Sequence, residues 1–227
     1  MKLDYKDHDA PRNELITFLK NITHSTEIYE SDKANTLRLY QLWEPFLKKG
    51  TVKKDFFTPS FSLIEEFFPL EHNLFSNDIV MYFNISNLNM LIKHNIIPSS
   101  TIMLSQCIEN LHFTQMNDTI LKNEIFITPI IAVKMVSYDE TKGLTFGEVV
   151  DGNHRVSAAI ASRKDIPITT LDGMFIPSFA FRNETSWILY HLITGISVTA
   201  GNIVDSSEQE IYLQQLYSFL NHCFELH

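Results

Sequence analysis

The stretch Glu148-Val149-Val150-Asp151-Gly152-Asn153-His154-Arg155-Val156-Ser157-Ala158-Ala159-Ile160-Ala161 constrains this chain more than any other. An Asp-Gly pair between two apolar runs usually turns a hairpin. Here an alanine-rich run that favours helix follows the pair, so the expected unit is strand, tight turn, helix. Asp151 falls near the helix N-cap, where a carboxylate is at home. Ala158 and Ala161 are small enough to let the helix lie close on a sheet. Asp172-Gly173, with apolar residues on both sides, is the better hairpin candidate.

A helix start of this kind suits an anion. Its first backbone N–H groups have no partner within the helix and carry partial positive charge. Gly152 lets a phosphate approach the backbone, Arg155 offers a planar fork of donors from the first turn, and His154 can donate a hydrogen bond. Asp151 is the odd member, because a carboxylate repels a phosphate. It fits if it takes a proton from an attacking hydroxyl, or touches a magnesium ion on a nucleotide. The plain alternative is that Asp151 only caps the helix and Arg155 pairs with a surface acid. Spacing alone does not separate the two.

The rest of the chain frames this unit. Pro11 to about Lys49 reads as helix, with Leu15, Phe18, Leu19 and Ile22 at helical spacing and Leu37, Tyr40, Leu42 and Phe46 less strictly so. Ser60 to Phe68 predicts a short capped helix in a segment whose phenylalanines read as core. Asn77 to Ile92 fits helix or strand. From Ile96 onward, β-rich runs alternate with helical ones: Thr101–Leu104, Ile130–Val136, Leu144–Val150 and Ile166–Leu171. That alternation predicts an α/β or α+β unit. The tail predicts two helices, one with a Trp187–Ile193 stripe closed by Gly195. The other runs from Glu208 to Leu226, is capped by Ser206 or Ser207, and carries Ile211, Leu213, Leu216, Phe219 and Leu220. The expected organisation is a helical N-terminal region over 1–94, an α/β core over 95–176 and a helical C-terminal extension over 177–227. Asp4 to Asp9 resembles a common epitope tag, so residues 1–10 are set aside from functional reasoning.

Composition removes several classes of function. The net charge is −9 and no long basic run exists, which argues against nucleic acid as a partner. Cys107 and Cys223 are the only cysteines; two make neither a disulfide framework nor a metal cluster, and they read as free thiols. No run of about 18 apolar residues is present, so no membrane span is expected. A cytoplasmic protein is the default expectation, and secretion as an effector by a route with no readable signal stays open. His72, His94, His112, His191, His222 and His227 sit at no ligand spacing, and the sequence marks no set of metal ligands. Lys134 and Lys142 read as solvated, and Ser157 as a small packing residue.

Gly152, Arg155 and Ala158 match the G-x-x-R-x-x-A box with which the ParB/sulfiredoxin superfamily ends a strand and opens a helix. The fuller Asp151-Gly152-Asn153-His154-Arg155 resembles the D-G-H-H-R box of its free-serine kinase branch, with Asn153 in place of the first histidine. Thr128-Pro129-Ile130-Ile131-Ala132-Val133 resembles the family's P-I-x-V strand before the box. Ile166-Pro167-Ile168 resembles the strand after it, and Asn95 to Gln106 the opening strand. The likeness covers about residues 95–172. It implies an α+β fold: a small mixed-sheet ParB/sulfiredoxin-like domain with helical extensions. It implies that Thr128, Gly152, Asn153, His154 and Arg155 hold nucleotide phosphates, and that Asp151, His154 and Arg155 carry the chemistry, with Asp151 as base. Sulfiredoxins place a reactive cysteine where Asn153 stands, so that chemistry is closed to this chain. The second motif of ParB clamps has no match in order, since Arg182-Asn183-Glu184 has the types but not the sequence. The kinase branch's upstream glutamate has no clear counterpart among Ser105, Gln106 and Glu109.

Three functions follow as expectations. The first is a phosphotransferase or nucleotide hydrolase that uses ATP or another nucleotide with Mg2+ and acts on a small-molecule or protein hydroxyl. The second is a ParB-like nucleotide-gated, DNA-associated module, which the acidic balance disfavours. The third is a protein-interaction module whose helical extensions meet a protein partner and whose site no longer turns over.

Overall fold

The computed structural model describes residues 2–25, 28, 30, 32–53, 66–115, 130–139, 143–171, 175–200 and 205–227. The chain is a mixed α+β protein that divides into two compact units. The first comprises Met1–Ser60, Glu71–Tyr82 and Pro177–His227; the second, Phe61–Leu70 and Phe83–Ile176.

The first unit holds helices α1 (Arg12–Thr23) and α2 (Lys33–Lys49) and strands β1 (Lys2–Asp4) and β2 (Gly50–Val52). Strand β3 (Phe67–Leu74) gives it half of its length and β4 (Asn77–Asn84) most of its length. Leu15, Phe18, Leu19 and Ile22 of α1 are buried, as their spacing predicts. On α2 the buried stripe is Leu39, Trp43, Phe46 and Leu47, and Leu37 stays exposed. Strands β1, β4 and β3 form a three-stranded sheet in that order. Part of the stretch expected to be helical is therefore strand. Phe67 and Phe68, read as the end of a short helix, open β3; the rest of that helix, 60–65, lies outside the described residues.

The tag-like start is also built into this unit. Leu3 is fully buried, and Lys2–Asp4 pair in parallel with Asp78–Val80. The Asp9 carboxylate accepts from the Thr185 backbone N–H at 2.9 Å, and Arg182 donates to the Lys6 carbonyl at 2.8 Å. These residues, set aside from functional reasoning, contribute a buried side chain, a strand and helix-end contacts to the unit.

Helices α6 (Glu184–Ala200) and α7 (Ser206–Cys223) and strand β10 (Phe224–Leu226) complete the first unit. Their label numbers count the elements of the second unit, given below. Helix α6 is buried along almost its whole length, the mark of a central helix. Three of its polar residues bond to their own helix: Thr194, Ser197 and Thr199 donate to the carbonyls of Tyr190, Ile193 and Gly195. Gly195 does not end the helix. A Cβ there would lie 2.9 Å from Leu39 Cδ1 and 3.1 Å from the Tyr212 hydroxyl, so its role is close approach between helices. The cap of α7 is Asp205, not Ser206 or Ser207; its carboxylate accepts from the N–H groups of Ser207 and Glu208. That helix stops at Cys223, where β10 begins and pairs antiparallel with β2. Ile211 is exposed, while Leu213, Leu216 and Leu220 are buried.

The second unit is built on a five-stranded mixed sheet. Its elements are α3 (Ile85–Lys93), β5 (Ser99–Met103), α4 (Leu104–Cys107), β6 (Leu111–His112), β7 (Ile130–Asp139), β8 (Gly143–Asp151), α5 (Asn153–Ala161) and β9 (Pro167–Leu171). The strand order is β5-β9-β7-β8-β6. Pairs β5–β9 and β7–β8 are antiparallel; β7–β9 and β6–β8 are parallel. Alternation along the strands gives one sheet face Ile130, Ala132, Val149 and Ile168. These pack with Val156 and Ala159 of α5 and with Leu104, Cys107 and Leu111, so α5 lies on that face; of the two alanines expected to allow this, Ala158 is buried and Ala161 is exposed. Asn77 to Ile92 resolves into strand, then helix, because the Asn84 side chain caps α3 by accepting from the Asn87 N–H at 3.0 Å. The Asp172-Gly173 turn lies outside the described residues.

Candidate phosphate site at the β8–α5 turn

Strand β8 ends at Asp151, and α5 begins two residues on. Gly152 takes the cap position with φ 98°, in the left-handed region, and has no side chain to cap with. The first helical bond runs from the Val156 N–H to the Gly152 carbonyl at 2.9 Å. The amides of Asn153, His154 and Arg155 therefore precede the helical ladder. This is the strand, turn and helix that the sequence predicts, with an N-terminus left open by its own cap residue.

The side chains do not all lie where expected. Asp151 does not cap the helix. Its Oδ2 stands 3.0 Å from Arg155 Nη2, and the two side chains are 22 % and 9 % exposed. Gly152 gives its open space not to solvent but to neighbours. A Cβ there would sit 2.7 Å from Ile130 Cγ1, 2.9 Å from Arg155 Nη2 and 3.1 Å from Arg155 Nε. The guanidinium thus folds back over the turn, and glycine is needed first for that contact. Among the described residues the acid paired with Arg155 is Asp151, four residues back.

The Asn153 side chain is engaged within the fold. It is buried, its Oδ1 accepts from the Thr114 backbone N–H at 2.8 Å, and its Nδ2 donates to the Val149 carbonyl at 3.2 Å. Its side chain ties the segment after β6 to the turn, which leaves only its backbone amide for a ligand. His154 is half-buried, and its Nδ1 is a buried atom that finds no hydrogen-bond partner among the described residues. A buried nitrogen of that kind is costly unless something supplies a partner. Thr128 lies outside the described residues.

One pair escaped the sequence reading. His112 and Glu148 face each other across the parallel β6–β8 pairing, with Nδ1 and Oε1 at 2.6 Å and side chains 30 % and 4 % exposed. The available signal was a single carboxylate inside the otherwise uncharged strand run Phe146-Gly147-Glu148-Val149-Val150. Buried carboxylates are almost always paired, but nothing in the sequence named the partner.

A cleft of about 310 Å³ opens on the same unit, lined among others by Ser100, Ile102, Gln106, Lys134 and Thr170. Lys134 is four strand residues from Ile130, roughly 13 Å at 3.3 Å per residue, so it serves that cleft and not the turn. Among the described residues no group of three or more His, Cys, Asp or Glu is placed to hold a metal ion, and no helix is long and apolar enough to cross a membrane. The chain matches no family model, no curated protein and no solved structure.

Proposed function

We propose that the second unit is a ParB/sulfiredoxin-like domain that binds a nucleotide by its phosphates and acts as a phosphotransferase or nucleotide hydrolase on a hydroxyl group or water. The observation that carries this reading is the open N-terminus of α5, with the Arg155 guanidinium folded into the same turn over Gly152. Backbone amides and a guanidinium at one turn fit a phosphate in charge and hydrogen bonding. The Nδ1 of His154, without a partner among the described residues, adds a polar atom that donates in one tautomer. Magnesium fits this setting without a cage of protein ligands. It keeps several waters and takes one or two carboxylates beside substrate phosphates, and Asp151 is the carboxylate at the turn. When bound it would offset phosphate charge.

Calorimetry of the full chain with ATP and Mg2+ tests the reading. Arg155→Ala is expected to weaken binding by about 10- to 100-fold, the equivalent of a hydrogen bond to a charged group, and Asp151→Ala by less. No binding by the wild type sinks the reading. The reverse order of the two variants removes Arg155 from the site. A second reading, binding without turnover, is favoured by one observation: the Asp151 carboxylate is already matched by Arg155 at 3.0 Å. Bound nucleotide with no phosphate release or transfer would select it.

A further inference from the structure

We infer that His112, oriented by the buried carboxylate of Glu148, is the proton acceptor for the reaction at the β8–α5 turn, and that Asp151 instead positions Arg155. This inference rests on the nucleotide reading above. Asp151 is the poorer base, because the Arg155 guanidinium compensates its charge at 3.0 Å. His112 has the opposite environment. The carboxylate behind it is 4 % exposed, 2.6 Å from Nδ1, and directly opposite in the strand register. A carboxylate on Nδ1 fixes the tautomer with its proton there, turns Nε2 into the basic nitrogen, and stabilises the imidazolium that forms when Nε2 takes a proton. The His112 side chain keeps 30 % of its surface exposed, so its chemistry is accessible where that of Glu148 is not.

The placement is local to the site. Strand β6 runs parallel to β8, toward the end at which β8 delivers Asp151. Two residues after His112, the Thr114 N–H donates to Asn153, the first residue of α5, at 2.8 Å. The strand that carries the imidazole is therefore pinned to the turn by the same asparagine that replaces a box histidine. In the reaction, a hydroxyl or water oxygen forms its bond to the terminal phosphorus of a nucleoside triphosphate. The bond from that phosphorus to the bridging oxygen breaks, and its electron pair leaves on the nucleoside diphosphate. The hydroxyl proton passes to His112 Nε2.

The test uses the full chain with ATP, Mg2+ and water as acceptor, read by phosphate release, together with 15N NMR of the imidazole. His112→Gln removes the imidazole and its basic nitrogen and leaves a neutral amide of similar reach. It is expected to lower the release rate by about 10²- to 10⁴-fold while ATP affinity stays within about threefold. Asp151→Asn is expected to lower the rate by less than His112→Gln does. Glu148 is a positioning residue. Glu148→Gln is expected to redistribute the His112 proton between the two nitrogens, and Glu148→Asp to restore the wild-type tautomer and part of the rate. Since the tautomer of wild-type His112 needs no variant, a proton found on Nε2 overturns the inference even if His112→Gln fails to fold. Undiminished release by His112→Gln, or ATP bound by the wild type with no release, overturns it too. Absence of ATP binding by the wild type instead removes the nucleotide reading, whatever the tautomer.

Discussion

Replacing Gly152 by alanine separates two reasons for having glycine at the turn. If the glycine serves only the approach of a phosphate, Gly152→Ala costs the backbone strain of an L-residue in the left-handed region, about 1–2 kcal/mol. The structure adds two further costs. The new methyl would stand 2.9 Å from Arg155 Nη2 and 2.7 Å from Ile130 Cγ1. Moving the guanidinium breaks its pair with Asp151; with side chains 9 % and 22 % exposed, that pair lies between the buried and surface cases, so about 1–2 kcal/mol is at stake. Overlap with Ile130 adds about 1 kcal/mol as in an overpacked core. The expected loss is about 3–5 kcal/mol in the absence of any ligand, a large part of a typical domain's stability. Urea unfolding followed by far-UV circular dichroism and by hydrogen exchange of the α5 amides measures it. Tryptophan fluorescence does not, because Trp43 and Trp187 both belong to the first unit. In a cycle with Arg155→Gln, the guanidinium part of the loss is expected to vanish, leaving a coupling of about 1–2 kcal/mol. A loss below 2 kcal/mol, or strict additivity in the cycle, refutes the contact between Gly152 and Arg155.

Three other outcomes are expected. Leu3→Ala should cost about 2–5 kcal/mol as a core truncation, read by the fluorescence of Trp187 during urea unfolding; an unchanged midpoint would show that the N-terminal strand is not part of the unit. Asp165 is held below the ordinary carboxylate range, first by the Ser105 hydroxyl and then by the Ser105 backbone N–H. Its contact therefore stabilises fully above the unfolded carboxyl value and is lost as pH falls through the lowered folded value. Ser105→Ala should raise the Asp165 titration midpoint in carboxyl NMR, and an unmoved midpoint rejects that cause. Burial pushes the Cys223 thiol up to about 12, and Cys107 is buried as well. Neither should react with an aromatic disulfide at pH 8 within minutes unless denaturant is present; a fast native reaction contradicts the packing around them.

The sequence by itself determined the features that neighbouring residues encode. The Asp-Gly pair ahead of an alanine run wrote the β8–α5 turn, because the left-handed turn and the helix preference both act over a few residues. The spacing of Leu15, Phe18, Leu19 and Ile22 wrote the buried face of α1 for the same reason. Boundaries were less legible: Gly195 carries the signature of a helix end, yet α6 runs on to Ala200, and the glycine instead leaves the room that Leu39 fills. Residues 67–84 looked helical or ambiguous until a sheet gave their backbone groups partners. What the site's side chains do was decided by the tertiary structure alone. Arg155 turns inward onto Gly152 and Asp151, Asn153 is spent on Thr114 and Val149, and His112 meets Glu148 across 36 residues of chain. Pairing between distant strands leaves no local pattern to read. It is fixed by which edges meet when the sheet forms, and here it set an imidazole against a buried carboxylate.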